Sequence, residues 1–249
     1  MTSPAAALRS TLGSASRRVR KSRVVFWLNQ RRLRIEARRG LPAGAIRSVQ
    51  GEGRLVALSY DDGPSPANTP DLLEILASAG ARATFFVVGR EVVRHPELVA
   101  QIVAAGHELA GHSYSHLNLK TADPATARSE IERGSQAIAD VAARPLLFRP
   151  PFGKRSGAVE QACRDLGLTM VLWAVDSGDT MPFASDRIAA EVLQRVESGD
   201  IVLMHDGGDR RQRTLDATEQ ILVGLRSRGY RFVTVSELRG SRRRSDDPG

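Results

Sequence analysis

The sequence predicts an α/β chain folded as a distorted (β/α) barrel with about seven parallel strands, and three observations carry that expectation. From Arg54 onward short apolar runs alternate with helical patterns, the signature of β-α units and a parallel sheet. About seven such units follow one another, enough for a sheet closed or nearly closed on itself. Polar clusters follow five of the runs, and a barrel gathers such strand ends on one face. A chain of 249 residues with 41% hydrophobic content can bury one sizeable core.

The elements follow in order. Leu55-Val-Ala-Leu58 reads as a buried strand. Thr69 to Ala77 reads as a helix with Thr69 as N-cap, Pro70 at its first position and Gly80 beyond its end. Ala83 to Val88 is a strand, and Pro96 to Ala105 a helix stopped by Gly106. Glu108-Leu-Ala110 is a short strand, Pro124 to Val141 a long helix, and Leu146-Leu-Phe148 a strand. Ser156 to Leu166 is a helix and Thr169 to Trp173 a strand. Asp186 to Val196, Ile201 to Met204, Leu215 to Ser227 and Phe232 to Val235 complete the pattern as helix, strand, helix and strand.

Charge divides the chain into three parts. Residues 1–50 carry 12 Lys+Arg against one acid, Glu36, a net +11, so the other 199 residues sum to −3. The basic part reads as an N-terminal extension, residues 51–240 as the folded domain, and 241–249 as a disordered tail. Because the domain itself is not basic, no nucleic acid is expected as partner. Residues 23–39 suit a cationic amphipathic helix, so an anionic membrane surface is the expected partner of the extension. No apolar run approaches the ~20 residues needed to span a bilayer. Val24 to Leu28 falls short of a signal peptide's apolar region of about 7–15 residues. The expected location is therefore cytoplasmic, peripheral at the inner membrane face. A single cysteine, Cys163, excludes an intrachain disulfide and reads as a small buried hydrophobe.

The chemistry-bearing residues sit at strand ends. Asp61 and Asp62 follow the first strand, His112 the third, Arg149 the fourth, Asp176 and Asp179 the fifth, and His205 the sixth. His112-Ser-Tyr-Ser-His116 spaces two imidazoles four apart, which on a helical turn puts them on one face. Each signal is weak alone. Together Asp62, His112 and His116 offer one carboxylate and two imidazoles with positions left open, the form of a catalytic metal site.

Five motifs in order now resemble a known family. They are Ser59-Tyr-Asp-Asp-Gly-Pro64, His112-Ser-Tyr-Ser-His116, Phe148-Arg-Pro-Pro-Phe152, Trp173-Ala-Val-Asp-Ser-Gly-Asp179 and Ile201-Val-Leu-Met-His-Asp206. The chain is similar over roughly residues 53–240 to the polysaccharide deacetylases, the NodB-homology group or carbohydrate esterase family 4. The resemblance implies a hydrolase that removes N-acetyl groups from an amino sugar in a polysaccharide, oligosaccharide or glycoconjugate. It implies one divalent cation, zinc first, with cobalt, nickel or manganese as alternatives, held by Asp62, His112 and His116. Asp61 would be the base and Arg149 the residue that orients it. Phe152 matches a tyrosine whose backbone N–H helps hold the oxyanion. Leu203 would wall the acetyl methyl, His205 would be the acid, and Asp179 its partner.

The match has departures. Ser59-Tyr60 replaces the commoner Thr-Phe, Phe152 lacks the tyrosine hydroxyl, and Thr180 stands where a tryptophan is usual, which opens part of a groove wall. Trp173 reads either as another groove wall or as a buried strand residue. His107 reads as a capping or supporting residue, His95 as a bland turn residue, and Asp206 to Asp209 as a solvated loop. Two other functions share the fold: hydrolysis of another ester or C–N bond, such as O-acetyl xylan or a cyclic ureide, and non-catalytic carbohydrate binding. The intact set of Asp61, Asp62, both histidines, Arg149 and His205 argues against the last.

Overall fold

A computed structural model describes residues 45–50 and 53–241. The amphipathic segment expected at 23–39 and the tail beyond 241 lie outside the described residues. Nine strands form one sheet there: β1 (Ala45–Ile46), β2 (Leu55–Asp61), β3 (Ala83–Val87), β4 (Glu108–Gly111), β5 (Leu147–Phe148), β6 (Thr169–Val171), β7 (Val175–Asp176), β8 (Asp200–His205) and β9 (Arg231–Phe232). The spatial order is β1-β6-β5-β4-β3-β2-β8-β7, with β9 beside the start of β2, and these strands pair in parallel. The segment after β1 draws the sheet round on itself. The Leu172 N–H donates to Ile46 O at 2.7 Å, and the Ile201 N–H to Arg47 O at 3.3 Å. The result is the distorted barrel expected from the sequence.

Helices cover the outside: α1 (Thr69–Ser78), α2 (Gly89–Arg94), α3 (Pro96–Ala104), α4 (Pro124–Ala139), α5 (Gly157–Asp165), α6 (Ser185–Leu193), α7 (Gln212–Arg226) and α8 (Val235–Gly240). Strand alternation explains how a core and a site share the same strands. In β2, Val56, Leu58 and Tyr60 join the large cluster under the helices, while Leu55 and Ala57 join a second cluster with Phe86, Leu147, Val171 and Ile201. Asp61 lies in the phase of Leu55 and Ala57, and Cα register sets it opposite His205. Arg149 follows β5 in the phase of Leu147. The barrel interior is thus apolar below and turns polar at the strand ends.

Four expectations need correction. Strand β1 and Val49 belong to the barrel, so the fold begins upstream of residue 51. Trp173 lies outside β6, because the chain leaves the sheet there and re-enters as β7 to pair with β8. The run read as a last strand ends at Phe232, since Thr234 and Glu237 form a capping box that starts α8. Thr69 is the first helical residue and Asn68 occupies the cap without a side-chain capping bond. Both side chains are engaged elsewhere, as described below.

Candidate metal and hydrolytic site

Asp62 directly follows β2 with φ +76°, a left-handed backbone that carries strain in a non-glycine residue. Gly207 makes room for it, since a Cβ there would fall 2.3 Å from Asp62. His112 and His116 do not lie on a helical turn as their spacing suggested. They flank a loop in which Ser113 and His116 both take φ +62°. The His116 N–H donates to Ser113 Oγ at 3.0 Å, and Glu130, on α4, accepts from the N–H and hydroxyl of Ser115 at 2.8 and 2.9 Å. Gly134 on the same helix permits this contact, since a Cβ there would meet the Ser113 carbonyl at 2.7 Å.

The loop brings three donor atoms together. Nε2 of His112 and of His116 stand 3.4 and 3.1 Å from Asp62 Oδ1, and one ligand atom from each residue lies within 4.8 Å of the others. His112 Nδ1 donates to the Arg149 carbonyl at 2.7 Å, which orients the ring with Nε2 toward Asp62. Asp62 Oδ1 is buried without a hydrogen bond of good geometry. Burial pushes its carboxyl up, but the two imidazoles outweigh that and hold it well below the usual carboxylate range. A carboxylate oxygen and two imidazole nitrogens converging on one point form a donor set that fits a divalent cation.

Asp61 is 3% exposed, and its Oδ1 accepts from Arg149 at 2.6 Å. Arg149 is fully buried, donates also to the Leu172 carbonyl at 3.2 Å, and lies 3.8 Å over the Phe86 ring. Across the strand register, His205 Nδ1 meets Asp179 Oδ1 at 2.8 Å. The other oxygen of Asp179 accepts from the His205 N–H at 2.9 Å and the Thr214 hydroxyl at 3.1 Å. Burial alone would lower the imidazole, yet the charge and hydrogen bond of Asp179 raise it to about 9. Asp179 is correspondingly held low, against its own burial, by His205.

The remaining residues named from sequence occupy the rim. Phe152 takes φ +61° in the turn Pro151–Gly153, and its exposed ring packs edge-on against His116 at 4.7 Å. Trp173 is half-buried and packs on Gly153, where a Cβ would come within 2.5 Å of the indole. Leu203 is buried two positions before His205 on the same strand face. Thr180 is exposed beside Asp179. A cleft of about 370 Å³ opens from Asp62 and His116 between Ser65, Arg90 and Arg211.

Three side chains escaped the sequence reading. Glu130 sits in an ordinary helical pattern and carried no signal. Asn68 carried none either, a lone amide just before a helix start. Asp206 was read as part of a solvated loop but is 1% exposed, with Oδ2 accepting from Thr69 at 2.6 Å. Gly63 leaves it space, since a Cβ there would meet its carboxylate at 2.4 Å. The Gly207-Gly208 pair beside it was the available sign of a close backbone approach. Burial, with the hydrogen bond from Thr69 opposing, raises the Asp206 carboxyl to about 7. His107 accepts from the Ala83 N–H at 3.2 Å and packs on Phe85, so it supports the barrel instead of joining the site.

This geometry matches a known family. The polysaccharide deacetylase profile covers residues 48–171. A peptidoglycan-N-acetylglucosamine deacetylase of Bacillus cereus is 38% identical over 200 residues, covering 79% of this chain and 94% of that protein. A chitooligosaccharide deacetylase of Bradyrhizobium is 35% identical over 214 residues, covering 80% and 98%. Among solved structures, a family 4 carbohydrate esterase from Streptomyces lividans in complex with acetate superposes with a TM-score of 0.71 at 36% identity, covering 80% of this chain and all of that one. The chain belongs to the polysaccharide deacetylase family.

Proposed function

We propose that this chain is a metal-dependent hydrolase that removes N-acetyl groups from an amino sugar in a glycan or glycoconjugate. The observation that carries the reading is the triad of Asp62, His112 and His116, flanked by one carboxylate–guanidinium pair and one imidazole–carboxylate pair. The relatives named above act on N-acetylated carbohydrates by their descriptions, which supports the substrate class. Asp62, His112 and His116 would hold a divalent ion, zinc first, which would supply a Lewis acid for the acetyl carbonyl and acidify a water toward a pKa of ~7.

The chain's own residues divide the proton work. Asp61, held by Arg149, takes a proton from the attacking water. The backbone N–H of Phe152 donates to the developing oxyanion. Leu203 and Trp173 wall the acetyl group. His205, kept protonated by Asp179, hands a proton to the leaving amine. Base and acid are thus held by separate partners, Asp61 by Arg149 and His205 by Asp179.

The charge of residues 1–50 supports contact with an anionic membrane surface, and cell fractionation tests the cytoplasmic placement proposed with it. Among the described residues no helix is long and apolar enough to cross a membrane. Activity is tested by acetate release from N-acetylglucosamine oligomers, small N-acetyl sugar conjugates and O-acetyl xylan, with zinc added back after chelation. Zinc-dependent release from the N-acetyl substrates is expected. Release from O-acetyl xylan alone, or from none, contradicts the proposal.

A further inference from the structure

The two loops that carry the metal-ligand and acid ends of the site are joined by one buried amide. Asn68 is fully buried, and its Nδ2 donates to the carbonyls of Asp206 at 3.0 Å and Asp209 at 2.9 Å, with Gly208 O at 3.4 Å. Its Oδ1 accepts the Arg211 N–H at 2.7 Å. The neighbouring hydroxyl extends the tie: Thr69 Oγ1 accepts the Ser65 N–H at 2.8 Å and donates to Asp206 at 2.6 Å. The Asp206 and Gly207 N–H groups donate to the Asp61 carbonyl at 3.1 and 3.2 Å. One side of this lattice runs from Asp61 and Asp62 to α1. The other follows directly from His205.

We propose that Asn68, with Thr69 as its second arm, is a positioning residue that fixes Asp62 as a metal ligand relative to His205. Three facts lead there. Asp62 holds a strained backbone, φ +76°, which needs outside restraint to persist. Gly207 lies in contact with Asp62, so the loop that Asn68 grips is the wall against which Asp62 rests. And Asn68, at the cap of α1, makes no side-chain capping bond there, while it and Thr69 bond across 137 or more positions of sequence. An exposed tie, Arg210 to the Ala67 carbonyl and Asp71, joins the same loops at the surface and provides a comparison.

The proposal rests on the metal triad of the reading above, and its main readout needs no substrate. Cobalt(II) affinity and the visible absorption of the cobalt-loaded protein are measured for the parent and for Asn68→Ala, Thr69→Val, Thr69→Ser and Arg210→Gln. All measurements are made well below each melting temperature, with circular dichroism as the check on folding. Residues supporting metal ligands typically contribute about 10–100-fold in affinity or activity. Asn68→Ala and Thr69→Val are therefore expected to weaken cobalt binding about tenfold or more, alter its visible bands, and lower kcat more than they change KM. Thr69→Ser, which keeps the hydroxyl, restores the parent values, and Arg210→Gln stays within about twofold. If Asn68→Ala does not fold, the Thr69→Val and Thr69→Ser pair decides alone. Folded Asn68 and Thr69 variants with parental cobalt affinity and spectrum would overturn the proposal and reduce the lattice to fold support. Altered cobalt binding in a protein that releases no acetate would leave the proposal standing while the deacetylase reading fails.

Discussion

Two buried ion pairs flank the triad, and they are built for different work. Asp61–Arg149 is dry on both sides, with side-chain exposures of 4% and 0%, and the guanidinium is pinned by a carbonyl and the Phe86 face. Arginine does not release its proton in proteins, so this pair holds a charge and a geometry. His205–Asp179 leaves its imidazole 15% exposed and surrounds the carboxylate with three donors. That arrangement tunes a proton affinity, bringing His205 to about 9, where it is protonated at neutral pH yet able to release. In the proposed mechanism one pair is a fixed orienting device for the base, and the other an adjustable acid.

Breaking the fixed pair is expected to have the larger effect. Arg149→Met leaves Asp61 buried without its cation, and removing one partner of such a pair costs about 3–5 kcal/mol. Chemical denaturation should show that loss together with near-complete loss of turnover, and a variant of parental stability would contradict the pair's role. Asp61→Asn keeps the shape and removes the base. Turnover should drop by about 10²–10⁴-fold with metal content unchanged.

The adjustable pair should respond to pH instead. Asp179→Asn removes the partner that raises His205, so the alkaline limb of kcat/KM should move to lower pH. The stability sign follows from linkage. A histidine raised in the folded state stabilises fully below its unfolded value of ~6.5, and that contribution is lost as pH rises through about 9. The stability gap between parent and Asp179→Asn should therefore be wider at neutral pH than above pH 9. A gap that does not vary with pH would deny His205 its dependence on Asp179. The smallest effect is expected at Thr180, exposed next to Asp179. Thr180→Trp adds a flat apolar face of roughly 150–250 Å². It should raise kcat/KM for linear N-acetylglucosamine oligomers modestly, and an unchanged value would mean that the groove is already filled.

The parts of the molecule that follow periodicity were legible in the sequence. The barrel, the strand ends and the convergence of Asp61, Asp62, Arg149, Asp179 and His205 all follow from runs of apolar residues ending in polar ones. What was not legible depended on contacts distant in sequence. The H-x3-H pair looked helical because spacing alone cannot show a loop with two left-handed residues, braced between them by Glu130 at Ser115. Asp206 looked like a solvated loop residue, and Asn68 went unread, because polarity does not reveal a partner 138 positions away. Val235 was read as strand because its apolar neighbours outweighed the Thr234–Glu237 capping signal. His107 and His112 lie five positions apart around β4. Only their place along the barrel separates a structural histidine, whose imidazole burial lowers to about 4, from a candidate ligand.

The central claim is that Asp62, His112 and His116 hold a metal on which acetate release depends. Its most direct test is metal content and acetate release measured together on purified parent and Asp62→Ala proteins. The parent should carry close to one zinc per chain and release acetate from N-acetylglucosamine oligomers. Asp62→Ala, lacking the only anionic ligand of the three, should carry almost none and release almost none while remaining folded. A folded Asp62→Ala protein with parental zinc content would contradict the ligand assignment, and with it the account of the site.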